Sequence, residues 1–597
     1  MQVYEAPIRD MRFVLEELHT DDGFGDLEGF EDFDDPDMRS AILEEANKLC
    51  RDVLLPLNWP GDQEGCHIEN GVVRTPKGFQ EAYKAFCEGG WAGLGVDPKW
   101  GGQGAPHSLG KMVEEMTCST NLSFGLYPGL TNGAMVALEA YGSEDLKNFY
   151  MPKMANGEWS GTMCLTEPHC GTDLGMLRTK AEPQDDGSYL VTGNKIFISA
   201  GDHDLTDNIV HLVLARLPDA PPGVKGISLF LVPKYLPNED GSLGNHNGAG
   251  PTAIEHKMGL KASATCQMSF ENSKGWLVGK PHRGLEAMFA MMNTERVAVG
   301  IQGLGVGEIA YQSAVWYAKD RLQGRSLSGV KNPDGPADPI IVHPDVRRML
   351  MTMRAYNEGS RAVSAWVSRA LDAEHAAKEP EARERAKDFV ALMTPVVKAL
   401  FTDLGHESAH LAVQVYGGHG YIQESGVEQF ARDARIAQIY EGTNGIQALD
   451  LVGRKLPDRM GRNLRSFFHP VSQFIEDNGA DANIGKMVGS LQQAFGALQL
   501  STGHIARKGL KDPEEAAAAA TDYLKLLGFV AMGYCFAKAA KVAHAALEAG
   551  TEEKAFYEAK IVTARFFFDR LLPPVMAQMM AITSGKASMM DMPEDAF

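Results

Sequence analysis

Hydrophobic and polar positions divide the chain into stretches of different period. Across residues 38–159 apolar residues recur at spacings of three and four, as in MRSAILEEANKLCRDVLLPL and KMVEEMTCSTNLSFGL, which predicts an N-terminal helical domain. From 160 to 280 the apolar runs are short and rich in β-branched and aromatic residues: YLVTGNKIFIS, IVHLVLARL, ISLFLVPKY and CQMSFENS, separated by DDG, PPG and GNHNG clusters. No helical run lies between them, so a middle antiparallel β domain is expected and not the parallel sheet that βαβ crossovers build. Helical periodicity returns over 281–456, a bundle domain broken by the loop SLSGVKNPDGPADP. After the linker-like KLPDRMGRNL an additional C-terminal helical domain covers 467–597, with an Ala-rich run suited to close helix packing. The fold class is therefore α+β, in the order helical, β, helical, helical. No fixed period repeats, which excludes a solenoid.

Residues 1–37 stand apart. Between 21 and 37 nine carboxylates and no base alternate with Phe24, Leu27, Phe30 and Phe33, which reads as an acidic arm docking its aromatics on the main body. Its oxygens do not fall at EF-hand spacing. The acid excess is general: 57 Lys and Arg against 78 Asp and Glu leave a charge of −21 on 597 residues. Duplex binding draws its affinity from basic side chains, so a nucleic-acid partner is disfavoured. The eight cysteines are scattered without CxxC pairs, signalling neither a disulfide framework nor a zinc ribbon. The N-terminus lacks the apolar core of a secretory signal. The apolar run 526–537, bounded by Lys525 and Lys538, is shorter than the roughly 20 residues a bilayer needs. A cytoplasmic protein without membrane insertion is expected.

Two familiar signatures are incomplete. The cluster Gly300, Gly303, Gly305, Gly307 lacks the third glycine of GxGxxG, since Glu308 stands there and no strand precedes it; these glycines suit close helix packing instead. The run from His406 through Glu407 to His410 matches HExxH, with Glu424 or Glu428 as conceivable third ligands, but the metzincin continuation is absent. A helix-face role is expected for these histidines, and no metal.

A more specific signal comes from four separated motifs. The loop MCLTEPHCGTD (163–173) is followed by GNKIFIS (193–199), and much later by QVYGGHG (414–420) and IYEGT (439–443). In this order they resemble the acyl-CoA dehydrogenase family of flavoproteins, and the likeness extends to GWAGLGVDPKWGGQG, YGSEDLKNFYMPKMANGEW and NTERVAVG. The acidic arm and the extra C-terminal domain resemble a long bacterial subgroup that includes enzymes acting on 3-(methylthio)propionyl-CoA.

The resemblance implies a cofactor, FAD, and a set of roles. Leu165 and Thr166 would offer backbone and hydroxyl hydrogen bonds to the flavin ring. Phe197 would stand where the family usually has a Trp against the flavin, and Ser199 where it has a Thr near N5. Arg321 and Gln323 would bind the FAD pyrophosphate of the neighbouring subunit, with Gln414 and Gly418 completing that site across a dimer interface. A guanidinium fork suits phosphate, and a glycine permits close backbone approach. Thr443 follows the family pattern toward the flavin. Arg296 and Asn293 would contact the CoA end of the substrate, with Thr172 and Gly442 beside the thioester.

Glu441 would be the catalytic base, removing the α proton of an acyl thioester while the β hydrogen leaves as hydride to flavin N5. A carboxylate serves best there when burial beside apolar groups brings its pKa toward the operating pH. The backbone N–H of Glu441 and a flavin ribityl hydroxyl would polarise the thioester carbonyl. Position 445 is Gly where many members carry a polar residue, and no role is carried over there. The implied reaction makes a trans-2-enoyl-CoA from a short or medium acyl-CoA and passes electrons to an electron-transfer flavoprotein. A homodimer is expected, or a tetramer, with the C-terminal domain masking a face used for assembly in shorter relatives. The same resemblance leaves two rivals: an acyl-CoA oxidase using oxygen, and a non-catalytic flavoprotein binding DNA or a protein partner.

Overall fold

The structure, a computed structural model, describes residues 2–20 and 23–597; Asp21 and Asp22 of the acidic arm lie outside them. It consists of two compact units. One comprises Ala46–Ala105 and Thr120–Ala298, the other Met1–Glu45, Pro106–Ser119 and Val299–Phe597.

The first unit is built on strands. A small hairpin of β1 (His67–Glu69) and β2 (Val72–Arg74) interrupts the stretch expected to be wholly helical. Its turn is Asn70-Gly71, both with positive φ, the dipeptide that two-residue hairpins favour. The main sheet contains β3 (Trp159–Cys164), β4 (Lys180–Pro183), β5 (Tyr189–Ser199), β6 (Asn208–Arg216) and β7 (Ile227–Pro233). After a second hairpin of β8 (Tyr235–Pro237) and β9 (Leu243–His246), it is completed by β10 (Ala249–Ile254) and β11 (Thr265–Val278). The order is β10-β11-β5-β4-β6-β3, and β7 pairs with both β6 and β11, closing five strands into a ring. Antiparallel pairing prevails, as expected, but β3 runs parallel to β6 over six residue pairs. The β4–β5 hairpin between them supplies the long return that a parallel neighbour requires. Val191, Ile198, Val213, Phe230, Val232, Cys266, Met268 and Phe270 pack together as the core of this sheet.

The second unit is helical. The helices Pro344–Ala376 and Pro380–Tyr416 form a hairpin joined by three residues, and Gly284–Asp320 contributes its part from 299 onward. Glycine lets these backbones touch: a Cβ at Gly303 would run into the Phe401 carbonyl, and one at Gly405 would meet Gly303. The C-terminal helix Pro513–Glu548 lies on this hairpin, with Gly359 under Met532 and Gly528 under Leu400. Trp366, 2% exposed, joins the layers through Phe389, Phe467 and Tyr534, with ring centroids 4.4–6.0 Å away. By length and composition Pro513–Glu548 could cross a membrane, since it continues through Lys525 where the apolar run was expected to stop. However, 78% of its most apolar stretch is buried in the protein, as in a core helix.

The acidic arm docks partly as expected. Phe24 is buried against Phe389, Glu28 N donates to Ala376 O (2.9 Å), and Arg385 caps the Gly23 carbonyl (3.0 Å). Phe30 and Phe33 remain half-exposed.

A buried ionic network ties the ends of the chain to this unit. Arg361, 1% exposed, donates to Asp10 (2.5 Å), Glu115 (2.5 and 3.0 Å) and Glu308 (2.8 Å). Asp10 also accepts from Lys560, which bonds Glu358 at 2.9 Å. Burial pushes the Asp10 carboxyl up, but Lys560 and Arg361 outweigh it and bring it down to about 2. For Glu115 burial prevails over Arg361 and raises the carboxyl from 4.5 to about 7. A carboxyl raised in this way keeps a proton that the unfolded chain has already lost. Its effect is that stability falls as pH rises from about 4.5 through 7. Asp372, raised to about 6 by burial, acts in the same direction, so the test is a difference. Glu115→Gln should reduce the loss of stability between pH 5.5 and 8 by about 1–3 kcal/mol, measured from urea midpoints. An unchanged pH slope would refute this assignment.

Candidate active site

In the strand unit the residues of interest gather where β3 gives way to the loop LTEPHC. Lys195 of β5 is fully buried and donates to the Leu165 carbonyl (3.0 Å) and to Glu167 Oε1 (2.9 Å). Glu167 also accepts from Thr179 N (3.0 Å), Thr179 Oγ1 (2.6 Å) and Arg178 N (2.8 Å). Burial raises the Glu167 carboxyl, yet Lys195 and these donors hold it below its ordinary value. The Lys195 ammonium is pulled down by burial, which Glu167 only partly offsets. Ile196 N donates to Thr166 O (2.9 Å), so Leu165 and Thr166 are fastened to β5 by both carbonyls.

The same strand carries Phe197 and Ser199. Strict alternation would put Phe197 on the face of buried Lys195. Instead the register with β11 shifts between Cys266–Ile198 and Met268–Lys195, so two residues of β5 oppose one of β11. Phe197 takes up this bulge in the left-handed region (φ +57°) and emerges 60% exposed, while Ile198 returns to the core. Bulges of this kind re-aim side chains, and a non-glycine residue in such a conformation costs about 1–3 kcal/mol. Ser199 is half-buried beyond it, opposite Thr265. Thr172 is exposed in the loop between β3 and β4. Elsewhere in this unit Arg296 is buried and donates to Asn293 Oδ1 at 3.2 Å, so these two are together. Arg296 also stands over the Phe289 ring.

In the helical unit IYEGT forms the turn before the helix Asn444–Asp450. Glu441 is half-buried with φ +57°, followed by Gly442 at +84°. The turn is anchored by side chains on either side of it. Gln447 Nε2 donates to the carbonyls of Glu441 (3.0 Å) and Gly442 (3.1 Å). Asn444 Nδ2 donates to Ala399 O, Thr402 Oγ1 and Asp403 Oδ1, and its own oxygen accepts from buried Lys398 (2.9 Å). Tyr440 OH bonds Gln302. Thr443 is exposed ahead of the helix.

Arg321, Gln323, Gln414 and Gly418 are also in this unit, all exposed. Tyr317 stacks on Tyr416 at 4.0 Å and bonds His419 Nδ1 at 3.0 Å, which draws the DRLQGR segment to the end of the 380–416 helix. The loop beyond is organised by Asp338, which accepts from Ser326 N, Asn332 N and Lys331 N and from Arg325; these bonds hold its carboxyl down to about 2. At Gly417 and Gly418 a Cβ would meet nothing within 4 Å, so the backbone there is open. A guanidinium, two amides and open glycine backbone form a donor set that fits a diphosphate, and an exposed aromatic beside a hydroxyl fits a flat ring.

The HExxH residues make other bonds. His406 and His410 bond each other (Nε2 to Nε2, 3.2 Å), Glu407 accepts from Tyr356, and Glu428 pairs with Arg432. Among the described residues the one three-ligand cluster is Glu167, His169 and Cys170, where Glu167 is already held by Lys195. Lys195, Glu167, Asn444 and Gln447 were not singled out from sequence. The only signal for the first two was a lysine inside an apolar strand and a lone acid in the LTEP loop.

Four family models match successive parts of the chain: acyl-CoA dehydrogenase N-terminal domain at 38–158, middle domain at 162–273 and C-terminal domain at 282–456, and acetyl-CoA dehydrogenase C-terminal like at 467–593. The chain is 43% identical to 3-methylmercaptopropionyl-CoA dehydrogenase of Ruegeria pomeroyi, over 98% of this chain and 99% of that one. It is 36% identical to a butyryl-CoA dehydrogenase of Syntrophomonas wolfei, over 100% and 99%. A solved acyl-CoA dehydrogenase complexed with FAD from Bacillus anthracis has the same fold, with a TM-score of 0.76 at 19% identity, covering 97% of this chain and 92% of that one. Similar to such relatives from end to end, the chain belongs to the acyl-CoA dehydrogenase family.

Proposed function

We propose that this protein dehydrogenates a short acyl-CoA thioester, with 3-(methylthio)propionyl-CoA the preferred candidate, to the trans-2-enoyl-CoA, using Glu441 as base and FAD as acceptor. The observation that carries the reading is the left-handed Glu441-Gly442 turn of IYEGT, held by buried Gln447 and half-buried Asn444. Similarity to the Ruegeria relative along the whole chain supports the substrate class.

The flavin, when bound, supplies the hydride acceptor. The chain's residues do the rest. Glu441 takes the α proton, so that proton and hydride leave adjacent carbons and the double bond forms between them. Its backbone N–H donates to the thioester carbonyl and stabilises the charge that develops there. Arg296 and Asn293 hold the CoA end, with Thr172 and Gly442 beside the thioester. Leu165, Thr166, Phe197 and Ser199 form the ring-facing part of the cofactor site, and Thr443 adds a hydroxyl. In a homodimer, Arg321, Gln323, Gln414 and Gly418 serve the diphosphate of the neighbouring subunit's FAD. Electrons leave to an electron-transfer flavoprotein. All eight cysteines are free, which suits the reducing cytoplasm.

Anaerobic addition of 3-(methylthio)propionyl-CoA should bleach the flavin absorbance of the purified protein, faster than butanoyl-CoA. Glu441→Gln should slow bleaching by about 10²–10⁴-fold while flavin stays bound. Bleaching at the wild-type rate would remove Glu441 from the mechanism. Arg321→Gln should weaken FAD retention by about 10–100-fold, read by flavin titration of the apoprotein. Unchanged affinity would place the diphosphate elsewhere.

A further inference from the structure

The residue that governs the Glu441 turn is six positions away. Gln447 is 1% exposed on the first helical turn after IYEGT, and its carboxamide spends both hydrogens on successive carbonyls, those of Glu441 and Gly442. In a trans peptide C=O and N–H point in opposite directions. Drawing these two carbonyls onto a buried amide therefore turns the N–H groups of Gly442 and Thr443 away from it. Gly442 takes its φ of +84° freely, but a non-glycine residue at +57° is costly unless something over-determines it, and this pair of bonds does so for Glu441. The fit is tight, since a Cβ on Gly442 would stand 2.7 Å from Gln447 Nε2. Among the described residues Gln447 Oε1 is buried without a partner, so burying the amide satisfies its donor end and not its acceptor end.

We propose that Gln447 is a positioning residue for the reaction, fixing through its two hydrogen bonds the left-handed turn that presents the Glu441 carboxylate. The proposal rests on Glu441 being the base. Any apolar side chain of similar length fills the same space but donates nothing, and leaves two carbonyls to pull the turn toward other partners. A glutamate at this position is isosteric yet has no hydrogen to give when ionised, and one when protonated.

The test uses the flavin-loaded enzyme and anaerobic reduction by butanoyl-CoA in rapid mixing, across pH 5.5 to 9. Gln447→Met should lower the limiting reduction rate on the order of 100-fold, as for a reacting group displaced by about 1 Å, with little change in acyl-CoA affinity. Taken relative to wild type at each pH, so that the requirement for an ionised base cancels, the Gln447→Glu rate should rise as pH falls and residue 447 regains a hydrogen to donate. Gln447→Met reducing at the wild-type rate, or Gln447→Glu following the wild-type pH profile, would overturn the proposal. Glu441→Gln separates the two ideas. If it is inactive while the Gln447 variants behave as wild type, only the positioning role fails; if it reduces normally, the base assignment fails first.

Discussion

A guanidinium taken out of water must be surrounded, and much of the helical unit is arranged around that requirement at Arg361. Its carboxylates come from the N-terminal segment (Asp10), the 107–141 helix (Glu115) and the 284–320 helix (Glu308). Lys560, from the C-terminal domain, shares Asp10 and closes the set through Glu358. Removing one partner from a buried set of this kind costs about 3–5 kcal/mol, because the remaining charges cannot rehydrate. The network therefore acts as a register: the termini have one place where their charges are satisfied. The C-terminal helices are part of the same fold and not an appendage, as the Trp366 cluster also indicates.

The protein stores strain at two of the positions assigned to chemistry, one in each unit. Phe197 and Glu441 are both non-glycine residues with φ +57°. Each lies near a buried polar side chain: Lys195, paired with Glu167, two residues before the first, and Gln447, aided by half-buried Asn444, after the second. At Glu441 the buried Gln447 amide bonds the turn's own carbonyls, whereas at Phe197 the register shift against β11 re-aims the ring. Preorganisation of this type is bought with fold stability, and the close packing around it supplies that stability.

The order helical, β, helical, helical was legible because period alone separates those stretches, and IYEGT and GNKIFIS were legible as motifs. The hairpin at 67–74 was also written in the chain as Asn70-Gly71 between valines and isoleucine, but six strand residues inside a helical stretch are outweighed by the longer period. The parallel partnership of β3 with β6 was not legible, since pairing is a tertiary choice that alternation does not encode. Nor was the bulge at Phe197: it depends on β11 offering one residue against two. Gln447 escaped because its work is done on main-chain carbonyls, which are the same in every sequence. Lys525 misled in the other direction, ending an apolar run that the helix carries straight through.

The pairing of Asp10 with Lys560 spans 550 residues. A ribosome adds about 5–20 residues per second, so the N-terminal segment is made roughly half a minute to two minutes before Lys560, the later of the two counter-ions of Asp10. Throughout that interval Met11, Phe13 and Val14, buried in the finished protein, have no complete surface to cover them. The ionic network of the helical unit is thus completed only once the chain through Lys560 has been made, so its earliest segment waits on its latest one.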